Sequence, residues 1–316
     1  MMKSALEELI SAVPLGQRQQ RSFETPFGQL VFTIIRGAEP GPTVWLQAAE
    51  HGDELDGIYA LHQLVATLSP AKVHGTIVAL PIANPSAFAV GHNRSPRDNV
   101  NLNRVFTKAA HPDSYSYRYG RYLAELIARV ASCFIDLHGG GEYLDVASFV
   151  TIPETATPAT QQLVTEFLDV EAVLTGNKQS SAMLIDELTA SGVAAILLES
   201  GGASQVTDRA IQIHIDNVLQ SLRYWGVLAT ALTQQQTHPR IIHRIQEGTF
   251  ATLGLLQECR QPGDVVVRGE PVVTYSNIAQ QSYQLVVSLK RAIVLSVHTQ
   301  SLVRPGQYAF LLGQID

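Results

Sequence analysis

The run Thr43-Val44-Trp45-Leu46-Gln47-Ala48-Ala49, followed almost at once by His51-Gly52-Asp53-Glu54, decides how this chain is to be read. Seven nearly unbroken apolar residues suit a strand buried on both faces of a sheet. The run stops at a polar turn. There His51 and Glu54 lie three residues apart, a spacing that brings two side chains to one side of a helical turn. An imidazole nitrogen and a carboxylate oxygen are both ligands that zinc accepts. A catalytic zinc also needs a third protein ligand and an open position for water. Surface turns carry such pairs by chance, so the pair gains weight only if the chain supplies the missing parts.

Outward from that stretch, helices and strands alternate. Upstream, residues 4–12 suit a short amphipathic helix with Leu6, Leu9 and Ile10 on one side. Residues 29–36 are a β-branched run, and 37–42 a Gly/Pro turn. Downstream, a helix over 56–68 ends at Ser69-Pro70, and a strand follows over 76–82. Residues 84–112 are long, polar and irregular, which marks a functional loop. A helix at 116–130, strands at 133–137 and 146–152, and helices at 158–169 and 181–191 come next. A wholly apolar strand over 193–198 leads to a long helix over 205–232. This alternation predicts an α/β fold, a mixed sheet with helices on both faces. After Gln234-Gln235-Gln236 the pattern changes to short valine-rich runs between turns such as Pro262-Gly263-Asp264. The expected division is a larger domain over 1–238 and a small all-β domain over 239–316.

Composition narrows the function classes. The 316 residues are 46% hydrophobic and 16% charged, enough for a sizeable core, and the net charge of −6 is not gathered into any block. That argues against nucleic acid or an acidic membrane as an electrostatic partner. Cys133 and Cys259 form no Cys-x-x-Cys pair or framework, as expected in a reducing compartment. The N-terminal stretch has no apolar core of signal-peptide length, and no run reaches membrane-spanning length. The expectation is a cytoplasmic protein; the sequence leaves open whether it is a homo-oligomer.

In an open α/β sheet, ligands bind beyond the carboxyl ends of the strands. Four predicted strands carry polar residues there: His51 and Glu54, Asn84, His138, and Glu199. His138 is the natural third ligand. Asp136 could orient a ligand imidazole or cap a neighbouring turn. Glu199 ends an apolar strand; it could move protons beside an activated water, or support the dipole of the following helix. Arg94, Arg97, Asn103 and Arg104 form a set able to grip a carboxylate or polarise a carbonyl oxygen. His62, His74, His92, His111, His214, His243 and His298 show no matching spacing. Tyr115, Tyr117 and Tyr119 suit surface or helix-start positions.

Taken together, His51-Gly-Asp-Glu54, Asn101-Leu-Asn103-Arg104-Val-Phe, Asp136-Leu-His138 and Leu-Glu199-Ser-Gly-Gly resemble the succinylglutamate desuccinylase/aspartoacylase family. Those are zinc-dependent amidohydrolases related to the zinc carboxypeptidases. The motifs occur in the family's order and span about residues 40 to 205. The resemblance implies a three-layer α-β-α, carboxypeptidase-like catalytic domain with a C-terminal domain of barrel-sandwich type. It implies one Zn²⁺ on His51, Glu54 and His138, with Glu199 as general base and then acid. Arg94, or Arg97 in its place, would polarise the carbonyl, and Asn103 and Arg104 would hold the carboxylate of the amino acid released. The implied substrate is a small N-acyl amino acid. No arginine precedes Glu199 in Ser191–Leu198, and Lys178 is the nearest basic residue upstream. Acetyl or another less charged acyl group therefore stays open beside the acidic ones. The competing readings are a carboxypeptidase acting on short peptides and a catalytically silent metal- or ligand-binding module.

Overall fold

The computed structural model describes residues 5–106, 111, 113–176, 182–235, 238–277 and 282–315; Lys178 and the expected start of a helix at 181 lie outside them. Helix α1 (Ala5–Ser11) leads into strands β1 (Gln17–Thr25) and β2 (Gly28–Arg36), then β3 (Glu39–Ala48). After α2 (Asp56–Thr67) come β4 (His74–Leu80), the short α3 (Pro85–Phe88) and α4 (Tyr115–Val130). Next are β5 (Cys133–His138), β6 (Leu144–Thr151), α5 (Pro158–Gln162) and β7 (Ala172–Leu174). Helix α6 (Leu184–Ala190), β8 (Ala194–Gly202) and α7 (Asp208–Tyr224) complete this part. Nine strands follow: β9 (Arg240–Ile242), β10 (Ile245–Thr249), β11 (Gly254–Cys259), β12 (Val265–Val266), β13 (Pro271–Asn277), β14 (Ser282–Val287), β15 (Ala292–His298), β16 (Leu302–Val303) and β17 (Tyr308–Gln314).

The large sheet is mixed, in the order β1-β2-β4-β3-β5-β8-β6-β15-β17-β10. Its centre, β4-β3-β5-β8, is parallel. The three-layer expectation holds, and β3 shows why. Val44, Leu46 and Ala48 point to one face and pack with residues of α2 and α7, while Trp45 points to the other, among residues of α1, α4 and α6. None of the described helices is long and apolar enough to cross a membrane.

Several local expectations need correction. Strand β1 was not anticipated, because its polar sequence alternates only between exposed and half-buried positions; nine pairings to β2 hold it at the sheet edge. The helix expected over 158–169 is α-helical only to Gln162 and then widens into a π turn over Leu163–Phe167. The helix expected over 205–232 is shorter. The Thr207 hydroxyl accepts from Ala210 N at its start, and Trp225-Gly226 ends it, with Gly226 at a φ of 71°. Tyr119 is no surface residue: it is buried, and its hydroxyl donates to the Ala83 carbonyl.

Among the described residues beyond 239 every helix or strand element is a strand, in line with the all-β expectation. Strands β14-β13-β11-β16 form a sheet of their own. Strands β10, β15 and β17 instead extend the large sheet, because β15 pairs with β6 through Ser296–Val146, Val297–Asp145 and His298–Leu144.

Candidate active site

The site begins where β3 stops. Ala49 takes a left-handed φ of 51°, and Glu54 N donates to the His51 carbonyl at 3.3 Å. His51 and Glu54 are therefore juxtaposed by a closed turn rather than a helical one, and α2 starts only at Asp56. Gly52 is required there: a Cβ would lie 2.1 Å from the Ala87 carbonyl carbon. Asn84 braces the same turn. Its side chain caps α3 and donates to the Glu50 carbonyl at 3.1 Å, so the polar end of β4 is structural.

His51 Nδ1 lies 2.7 Å from Glu54 Oε1, and His138 Nδ1 lies 2.9 Å from Glu54 Oε2. The outer nitrogens have other partners. His51 Nε2 is 3.0 Å from Asn101 Oδ1, and His138 Nε2 is 3.2 Å from Asp136 Oδ2 and 3.5 Å from Glu50 Oε2. An amide oxygen only accepts, so His51 Nε2 carries the proton and its Nδ1 faces Glu54. One potential ligand atom from each of His51, Glu54 and His138 lies within 4.8 Å of the others. This donor set, two nitrogens and one oxygen, fits zinc. Glu54 Oε2 is buried and makes no well-aligned hydrogen bond despite its closeness to His138, which also points to a cation between them.

The charges of these groups depend on one another. Burial opposes a charge on His51, but Glu54 beside it raises its pKa to about 9. His138 is likewise raised, against its burial, by Asp136 and Glu54. Burial alone would raise Glu54; His51 and His138 bring it down to about 2. Glu50 is fully buried, and that burial together with Asp136 lifts it to about 7.

Glu199 stands beside this cluster because β5 and β8 run parallel with His138 opposite Glu199, and Phe149 of β6 flanks it on the other side. Burial, reinforced by Glu54 and opposed by His138, raises its carboxyl to about 8. It is not at a helix N-terminus: α7 starts nine residues on, where Asp56 Oδ1 accepts from Thr207 N.

A cavity of about 420 Å³ opens in front, lined by His51, Glu54 and Glu199 together with Arg94 and Arg104. His138 lies just behind the wall, 2% exposed. Two candidates point elsewhere. The Arg97 guanidinium sits 5.2 Å over the Tyr115 ring. Asn103 is buried, and its Oδ1 accepts from Leu184 N at the start of α6. Sequence reasoning passed over Glu50, and over Asn101 as a partner of His51, although Asn101 stood within a quoted motif. It also gave no role to His92 and His298, which line the cavity. The far wall comes from residues beyond 239.

A strand-end His/Glu/His group that could hold a metal ion thus stands beside a buried carboxylate on a three-layer mixed sheet, which defines an α/β protein with a hydrolase-like site. The chain belongs to the succinylglutamate desuccinylase/aspartoacylase family: residues 40–225 match the model of the "Succinylglutamate desuccinylase/Aspartoacylase catalytic domain". It is 26% identical over 266 residues to the N-alpha-acetyl-L-2,4-diaminobutyric acid deacetylase of Halomonas elongata, covering 80% of this chain and 77% of that one. The product-bound ectoine utilization protein EutE (DoeB) of Ruegeria pomeroyi superposes with a TM-score of 0.79 at 22% identity, over 96% of this chain and 98% of that one. A succinylglutamate desuccinylase/aspartoacylase of Rhodobacter sphaeroides gives 0.79 at 20% identity, over 95% and 96% of the two chains.

Proposed function

We propose that this protein hydrolyses the amide bond of a small N-acyl amino acid, using a zinc ion held by His51, Glu54 and His138. The observation that carries the reading is the convergence of both Nδ1 atoms on Glu54, next to Glu199, at one end of a cavity sized for a small ligand. Zinc bound there supplies a Lewis acid and an activated water. Glu199 is the proton carrier of the chain itself. Its raised proton affinity suits a carboxyl that takes a proton from water and hands it to the leaving amine.

Arg94 and Arg104 are the basic groups in position for the substrate: Arg94 to polarise the acyl carbonyl and Arg104 to fork onto the α-carboxylate. We assign Arg97 and Asn103 to shaping the loop, on the contacts described above. The segment 239–316, which we treat as a second domain, walls the cavity and favours small substrates over peptides.

The test is metal-analysed protein incubated with N-acetyl and N-succinyl amino acids and short peptides, with release of free amino acid as the readout. N-acetyl-2,4-diaminobutyrate, the compound in the name of the Halomonas elongata relative, belongs on that panel. Release from N-acyl amino acids should vanish on chelation. Glu199→Gln should fall by roughly 10²- to 10⁴-fold with its metal retained. Release from peptides alone would transfer the assignment to a carboxypeptidase, and no release from a zinc-loaded chain would overturn the reading.

A further inference from the structure

We propose that His298 and Glu247 form an amine-reading subsite on the far wall of the cavity, so that the favoured substrate carries an ammonium group on its side chain. This rests on the deacylase reading and adds a substrate class and two specificity-determining residues to it.

His298 ends β15 and is fully buried, yet it lines the cavity. Its Nδ1 lies 3.1 Å from the Tyr308 carbonyl oxygen. A carbonyl can only accept, so Nδ1 holds the proton. Burial keeps the ring from charging, which leaves Nε2 a bare lone pair. No described residue donates to it. The ring is fixed in place, stacked on Tyr143 at 6.2 Å and met edge-on by Phe250 at 5.0 Å. A fixed, unpartnered acceptor in the wall of a ligand cavity selects a ligand N–H and rejects a carboxylate.

The neighbouring strands add the charge. Glu247 pairs with Leu311, Leu311 with Ser296, and Ser296 with Val146, and all four line the cavity. His298 lies two residues beyond Ser296 and so on the same face. Glu247 and Ser296 are two strand spacings apart, about 10 Å, a gap that one ligand ammonium and the two side chains can fill. Among the described residues, the acidic ones lining the cavity are Asp53, Glu54, Glu199 and Glu247. Glu54 and Glu199 belong to the reaction, and Asp53 accepts from Glu142 N at 3.2 Å. Glu247 has no side-chain partner among the described residues, and no lysine or arginine from beyond 239 is among those lining the cavity. Along β6, Val146 stands three residues before Phe149, the neighbour of Glu199. That is about 10 Å or less, a span that a short diamino acid and the side chains reaching toward its two nitrogens fill together.

The experiment compares kcat/KM of the zinc-loaded protein for Nα-acetyl-2,4-diaminobutyrate and Nα-acetylornithine with that for N-acetylnorvaline, a neutral analogue, and N-acetylglutamate. The amine-bearing substrates should win by roughly tenfold or more. Glu247→Gln and His298→Phe should each shrink that ratio about fivefold, while His298→Gln, which keeps an acceptor, should retain part of it. A wild-type ratio of one or less, or a ratio unmoved in both variants, overturns the proposal. If no N-acyl amino acid is turned over, the deacylase reading fails separately. Calorimetric titration with free 2,4-diaminobutyrate and norvaline then decides the subsite: tighter binding of the diamino acid, weakened in Glu247→Gln, upholds it, and equal or absent binding overturns it.

Discussion

The two ends of the cavity place their polar groups in opposite ways. At the strand ends every ring nitrogen has a carboxylate or amide beside it: His138 lies against Glu54, Asp136 and Glu50, and His51 against Glu54 and Asn101. On the far wall, His298 has one nitrogen engaged and one bare. The first arrangement suits a resident cation, whose charge offsets the crowded carboxylates. The second suits a transient ligand, which supplies the missing hydrogen bond on arrival. The difference teaches that carboxylates and ring nitrogens crowded round one point suit a resident charge, and a single bare acceptor in a cavity wall suits a visiting hydrogen-bond donor.

Three measurements press on this contrast. The largest effect belongs to Glu54, the carboxylate both histidines share. Glu54→Ala should empty the metal site, from one zinc per chain to nearly none by elemental analysis, and lower turnover on the order of a thousandfold or more. Full zinc occupancy in that variant would break the contrast outright.

Acid stability comes next. His214 of α7 is buried, and its burial, with His138 nearby, depresses its pKa to about 4 from 6.5. A depressed pKa means the folded state prefers the neutral ring. His214 therefore contributes stability in full above pH 6.5 and loses it as pH falls from 6.5 through 4, by at most about 3 kcal/mol. Urea midpoints of wild type and His214→Gln, compared across that window, should converge toward acid. Parallel curves would show that this histidine does not sensitise the strand-end region to acid.

The smallest effect tests the outer partners. Asp136→Asn should weaken zinc binding about 10- to 100-fold in competition with a chelator. Unchanged affinity would mean that the contacts around His138 are packing rather than orientation.

How much of this was legible in the sequence follows from the topology. Strands β3, β5 and β8 are parallel and covered on both faces, so they read as apolar runs, and whatever polar residue ended them stood out. His51, Glu54, His138 and Glu199 were visible for that reason. In the irregular loop after α3, side-chain direction is set by local hydrogen bonds, such as the Asp98 carboxylate holding Ser116 N and Oγ at 2.8 Å. No periodicity announces such contacts, so Arg94 and Arg97 looked equivalent, as did Asn103 and Arg104. His298 and Glu247 escaped for a different reason. They lie on antiparallel strands far apart in sequence, and only the register of β10, β17 and β15 brings them to one wall.

The pairing of β15 with β6 carries one more consequence. A chain ended before residue 240 would leave the Leu144–Val146 half of β6 with bare N–H and C=O groups along one side, next to the strand that carries Glu199. Such an open edge recruits strands from other molecules. The C-terminal strands are thus a safeguard against aggregation, and they cannot be trimmed to widen the substrate range without exposing that edge.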